Sequence, residues 1–552
     1  MTSAVEKNRM FVSAAKGMTA FYVVSGVAAM LLLSPQIPYA DSWRFLARLI
    51  ESPFPINILA SDNGHREIIP NLIRLADLKW FSASQSFQTF CGIFFALLTL
   101  GLFILKVHTS DLTAATQKMV ILLGALGIFW LGNIRVLGHA SEAIHAYLIT
   151  ACLILGILLL LNEVTTPAKC FFRGLCVGSL GFIASFSFGS GVACFAAFYL
   201  VLYIRNSRWH SWFGVTLWLA LVMAVTIYSD TSGYFVFSPV VQINNFLSWI
   251  SAPLIYMLWP LLDPAVAAQI PVTSVQVLFL NAATSVEGII GPIVLGPWPL
   301  KLVGLSALLL LLRETWIVRF RYAAIPMLGI AISWFSVAVG GLIVIGRYEY
   351  FLDNPEQVMA ARYIVWSSWF WMGLAISIVS RETEGMKSLL IALFLSLALM
   401  PSQIWMGKLG VATRNASEFG ALAVTLNAYN SDTKMGENID VEILHISPQL
   451  KHRMAGIFAW PEMHWLNRHP PAQIVVMMDV SILDSKTVIN LSGEEWLELA
   501  VTCNNCTNKN LVVLDQQGLV IGIVHQIFGG NRWVGWAKAS VNEEYFQFAM
   551  LR

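Results

Sequence analysis

This chain has little charge. Only 12% of its 552 residues are Asp, Glu, Lys or Arg, 57% are hydrophobic, and the mean hydropathy is +0.68. A soluble domain with so little charge cannot cover its own surface, so the chain reads as an integral membrane protein. Neither sign dominates: Lys and Arg number 34 and Asp and Glu 32, and a net charge of +2 with no basic tail sets nucleic acid aside as a partner. Cysteine is scarce as well. Of seven, Cys91, Cys152, Cys170, Cys176 and Cys194 fall in or beside apolar runs and read as small apolar fillers. No 20- to 50-residue repeat is present, and the two halves lack the matched broken helices of secondary transporters.

What is present is a series of apolar segments of membrane length or nearly so, given that a hydrocarbon core of about 30 Å needs about twenty residues per helix. They are 17–33, 86–105, 119–131, 145–161, 171–186, 192–204, 212–228, 300–312, 322–345, 363–380 and 389–405, about eleven spans. Basic residues 1–16 are followed by no small-residue cleavage site, so the first segment is expected to be a retained anchor. Lys and Arg are retained on the cytoplasmic side. They collect in alternate short loops (Lys7, Arg9 and Lys16; Lys106 and Lys118; Lys169 and Arg173; Arg205 and Arg208; Arg313, Arg319 and Arg321; Arg381 and Lys387), while 229–299 has none. The amino terminus is therefore expected inside, and the loop 40–81 and everything after Trp405 outside.

Residues 1–405 read as a transmembrane domain and 406–552 as a second, β-rich domain, because beyond Trp405 apolar runs shorten to strand length. Strands are expected at 441–447, 473–480, 487–491, 496–502, 511–514, 519–527, 533–539 and 545–550, with a hairpin turn at Asp515-Gln516-Gln517-Gly518 and helices near 418–429 and 449–458. With the tail outside, Cys503-Asn504-Asn505-Cys506 reads as a structural short-loop disulfide. A redox-active or zinc-binding pair is the lesser alternative, since no second pair or nearby His completes a site.

The chemistry is sought where charge meets the bilayer. Asp41 directly follows the first span, where partial desolvation would raise its proton affinity and let it take a proton from a hydroxyl. It also stands where it would cap an interfacial helix over 41–50. Asp62-Asn63-Gly64-His65-Arg66-Glu67 crowds two carboxylates, an imidazole and a guanidinium into one bend, with solvated loop charges as the bland reading. His139, Glu142 and His145 recur at spacing three, within mutual reach on a helix, and suit substrate contact more than a metal. Arg347 and Arg362-Tyr363 place guanidinium groups among interfacial aromatics, which fits either anchoring or a lipid-linked phosphate held by two parallel hydrogen bonds. The run 185–191, rich in Ser and Gly, reads as a tight turn rather than a helix break inside the membrane.

With those residues in view, the layout of residues 1–405 resembles bacterial GT-C-type membrane glycosyltransferases, which use polyprenyl-phosphate sugars. Asn63-Gly64-His65-Arg66, Ser187-Phe188-Gly189-Ser190-Gly191, Gly346-Arg347 and Ala361-Arg362-Tyr363 look like blocks that recur in a poorly characterised group of such proteins. In that group the first block reads Asn-Glu-His-Arg; Gly64 replaces the acid here, which leaves Asp62 or Glu67 to supply a carboxylate. The resemblance implies a polytopic bacterial inner-membrane enzyme with Asp41 as base, Arg66, Arg347 or Arg362 on the departing phosphate, a polyprenyl-phosphate sugar as donor and a glycan or lipid as acceptor. No cofactor is expected, with a divalent metal as a minor reading. A flippase for a lipid-linked glycan and an O-antigen ligase or polymerase are the alternatives.

Overall fold

The computed structural model describes residues 4–38, 41–62, 65–229, 238–257, 259–268, 273–290, 297–381, 385–430, 440–471, 474–477, 479–539 and 543–551. Asn63 and Gly64 of the first polar motif lie outside the described residues. The chain is a mostly helical, multi-pass protein with a C-terminal antiparallel sheet. Eight helices among the described residues are long and apolar enough to cross a membrane: Val12–Leu33, Ser86–His108, Ala114–Leu137, Ala140–Leu161, Pro167–Ser185, Trp209–Thr226, Ala324–Gly346 and Ile391–Leu426. The other expected spans lie in the helices Ala193–Ile204, Pro297–Phe320 and Ala361–Val379, which are shorter, more charged or less apolar than these eight. Helices Pro239–Met257 and Thr273–Ile290 occupy a stretch read from sequence as loop, because Gln242, Asn244, Asn245 and Pro253 interrupt its apolar run. Contacts divide the chain into one unit of Met1–Leu32, Leu59–Pro70 and Thr89–Leu409 and another of Leu33–Ile58, Asn71–Gln88 and Gly410–Arg552.

In the first unit, Ala114–Leu137 and Ala140–Leu161 are 94% and 83% buried in protein, whereas Pro167–Ser185 and Trp209–Thr226 are 33% and 22% buried. The first pair is therefore the core, and the others present most of their surface outward. The core helix Ala114–Phe129 breaks at Trp130 and resumes through the turn Leu131–Asn133 into Ile134–Leu137. A break among apolar helices frees backbone groups that need new partners. Gln403 accepts from the Leu131 amide, Asn133 donates to the Gly127 carbonyl at 3.1 Å, and Trp130 Nε1 donates to Ser402 Oγ at 2.6 Å. The break delivers Arg135 to the end of the core beside the start of the next helix.

Helices Ala324–Gly346 and Ala361–Val379 cross at Gly329 and Gly373, where a Cβ on Gly373 would stand 2.4 Å from the Gly329 carbonyl oxygen. Ser333 Oγ donates across the same crossing to the Phe370 carbonyl at 2.9 Å. Small residues permit this approach between apolar helices, which have no hydrophobic drive to associate in lipid.

In the second unit, Ser42–Glu51 forms the expected amphipathic helix, with Trp43, Phe45, Leu46 and Leu49 buried. Arg74 is buried against the Phe45 ring at 3.8 Å and donates to Asn71 Oδ1 at 2.8 Å. Asp77, fully buried, accepts from the amides of Gln85 and Phe87 and from Gln88 Nε2 at 3.0–3.1 Å. Burial pushes its carboxyl above the usual range while those bonds oppose the shift.

The sheet contains β1 (Ile474–Met477), β2 (Val480–Ile489), β3 (Glu495–Cys503), β4 (Asn510–Leu514), β5 (Val520–Gln526), β6 (Arg532–Lys538) and β7 (Gln547–Leu551). All pairings are antiparallel, in the order β1-β7-β4-β5-β6-β3-β2. Leu499, Val501, Val513, Val524, Trp533 and Phe548 form its core. The turn Asp515–Gly518 joins β4 to β5 and closes through Asp515 N to the Leu519 carbonyl at 3.0 Å. Cys503 and Cys506 are disulfide-bonded.

Two expectations for the tail are corrected. Residues 441–447 are helical, within Asp440–Arg453, because the buried pair Ile446 and Leu450 follows helical rather than alternating spacing. Residues 487–491 are no separate strand: most of that segment continues β2, whose register shifts between Ile482 and Asp484. The helix Gly385–Leu426 runs continuously through position 405.

Replacing Gly373 by Val should lower the melting temperature in detergent, at an overpacking cost of about 1–3 kcal/mol. Gly341→Ala, at a site with nothing within 4 Å, should leave the melting temperature unchanged in the same assay.

Candidate functional site

The first unit draws its ionisable groups together at helix ends. Asp62 and His65 exchange both backbone hydrogen bonds, at 2.7 and 2.8 Å, as an isolated antiparallel bridge. Paired residues of such a bridge project to one side, so the Asp62 carboxylate and the His65 ring share a face. Glu67, only 3% exposed, follows two residues later.

The partner of this bend is the link between two apolar helices. Pro167–Ser185 ends with the Ser187 and Phe188 amides donating to the Ala184 carbonyl, and Phe188 itself is extended, at φ −167° and ψ 156°. That conformation swings its ring out of the helix path. The ring meets His65 at a centroid distance of 5.2 Å and stacks on His145 at 4.5 Å with 13° between planes. Gly189 is required next to it, because a Cβ there would lie 2.3 Å from His65 Nδ1.

His145 carries the network onward. Its Nε2 stands 3.8 Å from Glu142 Oε2, and Glu142 Oε1 accepts from Arg135 Nε at 3.2 Å. His139 is buried at the start of the same helix and feels both Arg135 and Glu142. On the other side, Arg347 acts electrostatically on both His65 and Tyr363. Arg347 lies over the Tyr350 ring at 5.9 Å, and Arg362 donates to the Tyr350 hydroxyl at 2.9 Å while lying over Tyr363 at 5.1 Å.

Burial holds the His65 imidazole below its ordinary range; Glu67 and Asp62 oppose this, and the charges of Arg347 and His145 add to it. A neutral ring at physiological pH is a proton acceptor, and two neighbouring carboxylates would stabilise the imidazolium it becomes. Arg347 offers a positive charge on the same group. Among the described residues, no group of three or more His, Cys, Asp or Glu side chains could hold a metal ion.

Asp62, His65, Glu67, His139, Glu142, His145, Arg347, Arg362 and Tyr363 thus lie along one connected set. Arg66 turns elsewhere and donates to the Leu59 carbonyl at 2.9 Å. Asp41 belongs to the second unit, with its side chain 51% exposed and 3.0 Å from Arg44. The desolvation expected for it is therefore not supplied by protein atoms, and its side chain makes no capping hydrogen bond at the start of Ser42–Glu51. Sequence reasoning did not select Arg135 or Phe188. The lone guanidinium of Arg135 in an apolar run was a usable signal; the ring of Phe188 gave none beyond its turn.

Gly189→Ala should displace the His65 ring and lower the melting temperature by several degrees, whereas Gly17→Ala, with nothing within 4 Å, should not. A pH test is sharper. Because His65 is held below 6.5 in the fold, the unfolded chain binds the extra proton, and stability should fall as pH drops from 6.5 toward the folded value. Melting curves from pH 7.5 to 5 should show a shallower acid loss in His65→Gln; an identical slope would refute the neutral-ring assignment.

No family model matches the chain, and no curated protein matches it. Among solved structures, ArnT from Cupriavidus metallidurans bound to undecaprenyl phosphate is similar over 98% of this chain and 99% of that one, with 13% identity and a TM-score of 0.29. At that identity and score the likeness carries no weight for the chemistry of this chain.

Proposed function

We propose that this protein is a membrane glycosyltransferase that moves a sugar from a polyprenyl-phosphate carrier to a glycan or lipid acceptor of the cell envelope, on the outer face of the bacterial inner membrane. The observation that carries the reading is the convergence of Asp62, His65 and Glu67, in the bend before Ile68–Trp80, with Arg347 at the end of Ala324–Gly346. The acceptor hydroxyl attacks the anomeric carbon as the bond from that carbon to the carrier phosphate breaks, in one inverting displacement. His65, flanked by its two carboxylates, takes the hydroxyl proton. Arg347, with Arg362 beyond it, receives the charge that gathers on the leaving phosphate. Glu142, held by Arg135, orients His145 against Phe188 and so fixes the ring on which His65 packs. The outer location rests on the clustering of Lys and Arg in the alternate loops.

A flippase would use polar groups through the middle of its spans. The groups gathered here sit near helix ends, which favours chemistry at the membrane surface.

The test is release of free carrier from a panel of polyprenyl-phosphate sugars by the purified protein in detergent. Arg347→Ala should cut the rate about 10²- to 10³-fold, and His65→Gln about 10²- to 10⁴-fold, with both variants still folded. Asp41→Asn is the deciding comparison. If it abolishes transfer while His65→Gln retains it, the base is Asp41; if no donor in the panel is turned over by the wild-type protein, the glycosyltransferase reading fails.

A further inference from the structure

The second unit holds a cleft that the chemistry above does not use. It has a volume of about 410 Å³ and is lined by Arg414, Lys509, His525, Gln526, Phe528 and Asn531 together with neighbouring glycine and backbone. That volume falls within the range of small-ligand sites, about 300–1,000 Å³. No carboxylate lines it among the described residues.

Its floor is a buried relay. Arg414 Nε donates to Glu418 Oε1 at 3.0 Å, and His525 Nε2 faces Glu418 Oε2 at 3.4 Å. On the far side, His525 Nδ1 faces Asn510 Oδ1 at 2.6 Å, while Asn510 Nδ2 donates to Glu462 Oε2 at 3.1 Å. The bond to Glu462 fixes which way the Asn510 amide points. Both nitrogens of the His525 ring then face oxygens, Asn510 Oδ1 on one side and Glu418 Oε2 on the other. Trp460 stacks on that ring at 4.9 Å, and Arg414 lies over the Phe528 ring at 4.6 Å. The Phe528 amide donates to Asn415 Oδ1 at 2.9 Å, which holds the glycine-rich rim in place.

The wall thus presents the Arg414 guanidinium, the His525 ring, the exposed ammonium of Lys509, two amides and an aromatic ring. Guanidinium and ammonium select an anion; an aromatic face with amides beside it suits the apolar faces and hydroxyls of a sugar ring. We infer that this cleft binds an acidic saccharide, a sugar unit carrying one carboxylate or phosphate, with the charge placed between Lys509 and Arg414. On the proposed transferase reading, that unit belongs to the acceptor.

Binding is measured by saturation-transfer NMR and titration on the full-length protein in detergent, with glucuronate, glucose 6-phosphate, inorganic phosphate and glucose as probes. At least one acidic sugar should bind about tenfold more tightly than glucose, and Lys509→Ala, at an exposed position, should remove about that factor. The better of the two acids identifies the charged group. Equal binding of glucose, no binding of either acid, inorganic phosphate alone matching the sugars, or an unaffected Lys509→Ala protein would overturn the assignment. Arg347→Ala should retain this binding while losing transfer. Binding in a wild-type protein that turns over no donor would sink the transferase reading and leave the cleft standing.

Discussion

The first unit depends on the pairing of Glu142 with Arg135. Glu142 sits in the first turn of one core helix and Arg135 just past the break in the other. Both side chains are partly withdrawn from water, 19% and 24% exposed, so each charge gains from having the other as partner. The helix break therefore does more than bend the chain. It turns Arg135 toward the following helix, at the loss of regular backbone bonds that Gln403 and Asn133 replace. With Glu142 held, His145 has a fixed neighbour; Phe188 stacks on it, and His65 packs tilted against Phe188.

That sequence of contacts joins the Arg135–Glu142 pair to His65 through packed rings. Packed rings transmit position without adding charge, so His65 is placed by Phe188 without a further charged neighbour. A carboxylate in the place of Phe188 would favour the charged form of His65 and oppose the effect of burial. The closeness of Gly189 to His65 is part of the same economy of space, because the ring reaches its position only where the turn lacks a side chain.

The positions of these groups were legible in the sequence to unequal degrees. His139, Glu142 and His145 declare themselves by spacing on one helix, and Asp62, His65 and Glu67 by crowding in one bend. Their convergence did not, since it joins residues about eighty positions apart through a phenylalanine that resembles dozens of others. Arg135 pairs across a break that periodicity cannot foresee. In the tail, the turn Asp515–Gly518 was readable from local chemistry. The segment at 441–447 misled because a short run of Val, Ile and Leu fits both periods, and only the burial of Ile446 and Leu450 decides between them. Asp41 stood out by its place in the chain, yet its surroundings of solvent and Arg44 are a matter of packing.

The two arginine settings differ in a way that bears on function. Arg414 is buried, with its Nε tied to Glu418. Arg347 lies over the ring of Tyr350, and an aromatic face attracts a guanidinium without neutralising it. Its field reaches both His65 and Tyr363. A guanidinium kept this way is pre-positioned, and its full charge is available to an anion that forms beside it. Stabilisation of a departing phosphate gains most from such a group, because the favourable interaction grows as charge develops.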